Sequence, residues 1–139
     1  MKKEEVKQIT IQGNELGENL SGQALRNKAK EYYIKHLADK KCKNKKLGEI
    51  LFSHGGFNKP ISSSKDERKL KLIPFLPDII SKGIAGDLEP DKKQRKNVKG
   101  FYTIKNIVNF QGQECKIRVS IREDNNGKLY YDHSFVKEI

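Results

Sequence analysis

Lys116, Arg118, Ser120 and Arg122 occupy every second position of a segment whose intervening residues, Cys115, Ile117, Val119 and Ile121, are apolar. In a strand, residues two apart share a face, so the cations point one way and the apolar row the other. Cations repeating about 6.5–7 Å apart along a strand roughly match the spacing of successive phosphates on one nucleic-acid strand. Arginine holds two of the positions, and its planar fork suits bidentate phosphate recognition. The plainer reading of the same pattern is a solvated sheet face whose charges protect the edge.

Two histidines are candidates for general acid–base chemistry, because imidazole titrates near neutral pH, the plainer reading of His54 being an ordinary turn histidine. His54 lies in Ser53-His54-Gly55-Gly56, a turn after a short strand candidate. His133 lies in Tyr130-Tyr131-Asp132-His133-Ser134, on the last strand. The Asn125-Asn126-Gly127 turn allows two registers. A two-residue turn sets Arg122 opposite Tyr131 and Ser120 opposite His133. A three-residue loop closed by a Gly127 bulge sets Ser120 opposite Asp132 and Arg118 opposite Ser134. It also stacks Ile117, Val119 and Ile121 against Phe135, His133 and Tyr131, leaving His133 half-buried and Tyr130, Asp132 and Ser134 on the arginine face, and burial slightly favours it. Lys65 sits just before a second helix, where free backbone N–H groups favour anions. Lys92, Lys93, Arg95 and Lys96 belong to a basic stretch suited to non-specific phosphate contacts. His36, near the end of the first helix, is read as structural.

The elements that must position these groups follow from periodicity. Leu25, Ala29, Tyr32, Tyr33 and Leu37 recur at helical spacing, so a helix is expected from the Ser21 cap to about Asp39. Val6 to Gln12 reads as an edge strand. Lys40 to Lys46, with five lysines in seven residues, reads as an exposed connection. A second helix is expected after Ser64-Lys65-Asp66-Glu67, a capping-box spacing. It should bury Leu70, Ile73, Leu76 and Ile80 and break at Pro74. Gly83 to Glu89 is a short strand candidate. Three strands close the chain: Phe101–Phe110, Cys115–Arg122 and Leu129–Val136, turned at Gln111-Gly112 and Asn125-Asn126-Gly127. Early helices and a late meander predict an α+β domain over residues 1–139. One or two N-terminal helices should pack on one face of a four- or five-stranded antiparallel sheet, leaving the other face open.

Composition narrows the partner. The 139 residues carry a formal charge of +11, which polyanions relieve. No apolar run is long enough for a membrane span and no signal core follows the N-terminal Met-Lys-Lys-Glu-Glu, so a cytoplasmic protein without a membrane role is expected. Cys42 and Cys115 read as free thiols, and no histidine stands at zinc-finger spacing with either. No metal and no cofactor are expected.

Asn97-Val98-Lys99-Gly100-Phe101-Tyr102, Ile117 to Lys128 and Tyr130-Tyr131-Asp132-His133-Ser134, with Ile50-Leu51-Phe52-Ser53-His54-Gly55-Gly56 upstream, resemble the barnase–EndoU–colicin–RelE-like nuclease domains. Such domains occur in polyvalent phage and mobile-element proteins and as bacterial toxin modules. The resemblance implies metal-independent RNA cleavage on the open sheet face. It carries site roles onto His54, Arg118, Arg122, Tyr131, His133 and Ser134, while Glu123 is the nearest match to a glutamate base. The expected function is an endoribonuclease acting on RNA, with tRNA among the candidates, in its own cell or as a module of a larger toxin or phage protein. An acidic immunity protein or antitoxin is the implied protein partner. The alternative is a module of the same fold that binds nucleic acid or protein without chemistry.

Overall fold

The computed structural model describes residues 9–53, 70–92 and 94–138, with side chains up to Tyr131. In chain order the elements begin with β1 (Thr10–Ile11) and helix α1 (Gly22–Tyr32), which continues as a π-helical turn over Tyr33–Leu37. Then come β2 (Lys41–Asn44), β3 (Gly48–Phe52), a 3-10 turn (Ile73–Phe75) and helix α2 (Leu76–Lys82). The remainder is β4 (Ile84–Ala85), β5 (Glu89–Pro90), β6 (Val98–Phe110), β7 (Gln113–Asp124) and β8 (Leu129–Glu138).

The α+β expectation stands, but the sheet is larger than expected and mixed. Its order is β1-β6-β7-β8-β3-β2, with β4 and β5 added along β6. β1 pairs with β6, and β3 with β8, in parallel. Non-local pairings of this kind leave no signal in a hairpin turn, which explains why the pairing of the meander is legible in the sequence and that of β1 and β3 is not.

The centre is the β6–β7 hairpin. Gln111 and Gly112 both take positive φ, 53° and 86°, as a two-residue turn matched to strand twist requires. The turn sets Ile104 opposite Val119 and Val108 opposite Cys115, all buried on one face. Leu25, Ala29, Tyr33 and Leu37 of the first helix are buried as its spacing predicts. So are Leu70, Ile73, Leu76 and Ile80, and the second helical segment breaks at the 3-10 turn containing Pro74. The proposed capping box at Ser64 lies outside the described residues.

Two expectations change. Lys40 to Lys46 is not a plain connection: Lys41–Asn44 forms β2, antiparallel to β3. Alternation explains it, since Lys41 and Lys43 are exposed while Asn44 is buried. The Asn44 amide donates to the Ile80 and Gly83 carbonyls at 2.8 and 3.1 Å. Its side-chain oxygen accepts from the Lys46 and Leu47 N–H groups at 3.0 and 3.1 Å. One buried amide thus ties the β2–β3 turn to the end of α2. Likewise, Gly83 to Glu89 yields two short strands rather than one. Gly100 in β6 is where β5 comes closest, because a Cβ there would collide with the Glu89 carbonyl oxygen.

Replacing Asn44 by alanine strands two carbonyls and two N–H groups at a buried site. Urea titration should show Asn44→Ala less stable by about 2–4 kcal/mol. An unchanged midpoint would mean that water replaces the amide fully.

Candidate nucleic-acid interface

The β7 alternation turns out as expected. Cys115, Ile117, Val119 and Ile121 are buried, Lys116 and Arg118 are exposed, and Ser120 and Arg122 are half-buried. The β6 register adds the facing row. Phe101 lies opposite Arg122, Thr103 opposite Ser120, Lys105 opposite Arg118 and Ile107 opposite Lys116.

This open face divides into two electrostatic regions. Near the Asn125-Asn126-Gly127 turn, each arginine is matched. Arg122 Nε donates to Asp124 Oδ1 at 2.8 Å, and its guanidinium lies 5.0 Å from the centre of the Tyr130 ring. Arg95 Nε donates to Asp91 Oδ2 at 3.0 Å, and its guanidinium lies 5.1 Å from the Phe101 ring. Cation–π contact and paired carboxylates lock these side chains. The register continues the ladder from Phe101 through Arg122 and Tyr130 to Leu51.

Farther along the hairpin the charges are unmatched. Lys105 and Arg118 are direct cross-strand partners, with Lys116 two residues from Arg118 on the same face. The register also sets position 137, a lysine, opposite Arg118 on β8. Among the described residues none of Lys105, Lys116 and Arg118 has an ion-pair partner. Like charges directly opposite one another destabilise a sheet, so this arrangement favours an external anion.

Arg118 and Lys105 form a ridge between two grooves. One, of ≈ 630 Å³, is lined by Lys82, Ile84, Lys105, Asn106, Ile107, Lys116, Ile117 and Arg118. The other, of ≈ 420 Å³, is polar and lined by Gly86, Asp87, Glu89, Thr103, Lys105, Arg118 and Ser120.

The expected site residues separate accordingly. Arg118 and Lys116 lie on the open face as expected, and Arg122 shares it but is held by Asp124 and Tyr130. Tyr131 does not: it is fully buried on the opposite face, with its ring centroid 6.1 Å from Tyr33 and 5.5 Å from Phe52. Tyr130 takes the place beside Arg122. The Gly127 bulge explains this. With Gly127 at φ 83°, Ile121 pairs with Tyr131 and Arg122 with Tyr130, the register that burial favoured. Beyond that point the register shifts, so Arg118 faces position 137 rather than Ser134. Residues 132–135 of β8 therefore stand against Ser120 alone. The backbone of His133 and Ser134 belongs to this irregular stretch, and their side chains lie outside the described residues.

His54, Lys65 and Lys93 also lie outside the described residues. Lys92 and Lys96 are exposed on the basic stretch, where Arg95 is bound to Asp91. Glu123 is on the inner face. It accepts a hydrogen bond from the Tyr102 hydroxyl at 2.9 Å and pairs with Lys99 at 3.6 Å. That hydrogen bond is the main reason the Tyr102 hydroxyl holds its proton above the usual tyrosine range. His36 packs against Tyr32, with ring centroids 4.5 Å apart, consistent with its structural reading. Cys42 is free, and burial pushes its thiol up to about 11, which makes it a poor nucleophile. Among the described residues no cluster of histidine, cysteine and carboxylates could hold a metal ion, and no helix is long and apolar enough to cross a membrane.

Lys105, Thr103 and Ile107 were missed as site residues. The signal was present: a Gln111-Gly112 turn of two residues fixes Lys105 opposite Arg118 by counting outward along both strands.

Residues 21–131 match the family model of large polyvalent protein-associated domain 3. The chain belongs to that family. No curated protein and no solved structure matches it. Most of the polyvalent-protein domain so defined, from α1 through the start of β8, is the framework that presents the open face. The match ends at Tyr131, so β8 beyond Tyr131 lies outside it.

The two arginines of this polyvalent-protein domain should differ in stability cost. Arg122→Ala removes a half-buried pair and a ring contact and should lower stability by about 1–2 kcal/mol. Arg118→Ala relieves a like-charge contact and should change stability by no more than about 0.5 kcal/mol, in the stabilising direction at low salt. Urea titration of both variants at low and high salt checks the contrast, and equal losses would contradict the division of the face.

Proposed function

We propose that this domain binds single-stranded RNA on its open sheet face, as the RNA-contacting module of a polyvalent phage or mobile-element protein. The observation that carries the reading is the Lys105–Arg118 cross-strand pair with Lys116 beside it. An exposed sheet face suits unpaired strands, whose bases and phosphates are both accessible. The +11 charge of the chain supplies long-range attraction. The ridge supplies the local contact, with arginine able to grip phosphate through two N–H groups.

Fluorescence anisotropy with a short single-stranded RNA tests this across a salt series. Each phosphate contact on a single strand contributes about 0.7 to the log–log salt slope. Arg118→Ala and Lys105→Ala should each weaken binding and flatten the slope by about that amount, while Arg95→Ala should change the slope little. Wild-type protein that shows no salt-dependent binding would remove the reading.

Metal-independent RNA cleavage on the same face is a second reading, favoured by the irregular β7–β8 register. Bulges concentrate next to active sites, where they re-aim side chains, and this one carries His133 and Ser134. In this reading His54 or His133 takes the proton from a ribose 2′-OH, which attacks the adjacent phosphate. Arg118 stabilises the charge that grows on the phosphate oxygens. The other histidine, Lys65 or a tyrosine protonates the leaving 5′-oxygen. An acidic immunity-type partner would cover the same cations. Incubation with cellular RNA in excess EDTA separates the two readings. Fragments with cyclic-phosphate ends from wild type, absent with the Arg118→Ala, His133→Ala double variant, support cleavage. Intact RNA that is nevertheless bound leaves a binding module.

A further inference from the structure

Among the described residues, three large hydrophobic side chains are exposed: Ile34, Ile84 and Ile107, at 47%, 78% and 46%. A single exposed isoleucine needs no explanation. Two of these three, however, line one groove, and Lys82, Lys105, Lys116 and Arg118 line it with them. The topology explains why the groove exists. β4 covers the outer edge of β6 at Ile104 and Lys105, and β1 covers it at Asn109 and Phe110. Between them, no described strand pairs with that outer edge of β6 at Ile107. There the backbone N–H of Ile107 donates to Asn106 Oδ1 at 2.7 Å, and the Asn106 amide donates to the Ile79 carbonyl at 3.1 Å. The Ile107 N–H thus has a partner without a neighbouring strand, and the register sets Ile84 beside Lys105 and Ile107 opposite Lys116, on the open face.

We infer that this groove is a subsite for one unpaired nucleobase of the bound RNA, held between Ile84 and Ile107 while Arg118 and Lys105 grip the adjoining phosphate. The inference rests on the proposed RNA-binding role of the face and adds where the base goes. At ≈ 630 Å³ the groove falls within the range of about 300–1,000 Å³ typical of small-ligand pockets. An apolar floor with a cationic rim complements a flat, weakly polar ring attached to an anion. It complements an acidic peptide less well, because carboxylate side chains bring no apolar plane. The groove across the ridge carries Asp87 and Glu89 beside Thr103 and Ser120, so its carboxylates turn the phosphates toward the cationic side of the ridge.

The test compares a short oligoadenylate RNA with an abasic ribose–phosphate chain of equal length, on wild type and on an Ile84→Ala, Ile107→Ala double variant. Both isoleucines are exposed, so the variant should keep the wild-type urea midpoint. Wild type should bind oligoadenylate about tenfold more tightly than the abasic chain, as burial of roughly 55 Å² of apolar surface would give. The double variant should lose that preference, bind the abasic chain as wild type does, and keep the same salt slope. Equal wild-type binding of both probes with a steep salt slope would overturn the base subsite and leave the RNA-binding face standing. A variant that keeps the preference would also overturn it, by placing the base elsewhere. Binding of neither probe would bring down both readings.

Discussion

The parity of the β6–β7 ladder governs the rest of the molecule. Side chains in a strand alternate with a period of two, so a slip of one residue exchanges the faces completely. In β7 that exchange would bury Lys116, Arg118 and Arg122 and expose Cys115, Ile117, Val119 and Ile121. The desolvation cost of unpaired cations forbids it. The left-handed Gln111-Gly112 turn then fixes which β6 residue meets each cation. Lys105 is brought against Arg118 as a consequence of the same register that seals Ile104 against Val119. The electrostatic stress on the outer face and the order of the inner face have one cause.

The same face shows how surroundings assign different roles to one residue type. Arg122 and Arg118 are four positions apart on one strand and point the same way. Arg122 has an acid two residues on and a tyrosine across the strand gap, so its charge is balanced and its side chain held. Arg118 has a lysine across the gap and a serine two residues on. Its charge is available. An arginine already bound to Asp124 and Tyr130 must surrender those contacts before it meets a phosphate, whereas Arg118 surrenders none among the described residues. Geometry therefore ranks Arg118 above Arg122, although the sequence pattern treats them alike.

What the sequence disclosed depended on how local the governing interaction was. The apolar faces of α1 and β7 are local periodicities, and both were legible. The break at Pro74 and the Gly127 bulge rest on single residues with strong backbone preferences, and they too were legible. β2 was not, because its exposed lysines conceal an alternation whose buried member is Asn44. Hydropathy ranks Asn44 with surface residues, and only the Ile80 and Gly83 carbonyls, from a distant helix end, make its burial favourable. The parallel pairings of β1 and β3 are equally remote in sequence. Tyr131 was carried to the site by resemblance, while the apolar alternation of its own strand already placed it with Ile121 in the core.

Charge density along the chain also differs from charge density in space. The two lysine- and arginine-rich stretches dominate the sequence, yet the fold partly neutralises them. Lys41 pairs with Glu49 at 3.8 Å, Lys46 with Asp87 at 3.1 Å and Arg95 with Asp91. The two exposed pairs, Lys41–Glu49 and Lys46–Asp87, add little stability, but all three lower the local potential that an incoming anion meets. Lys105, Arg118 and Lys116 are scattered singly in sequence and gathered by the hairpin onto one ridge. They lie on the two longest strands, paired along nearly their whole length, between a groove that is apolar and one that is not. A lysine run without a fixed geometry attracts a polyanion without positioning it. Three cations fixed by a register can do both, and that difference is why the proposed contact belongs to the sheet face and not to the basic stretches.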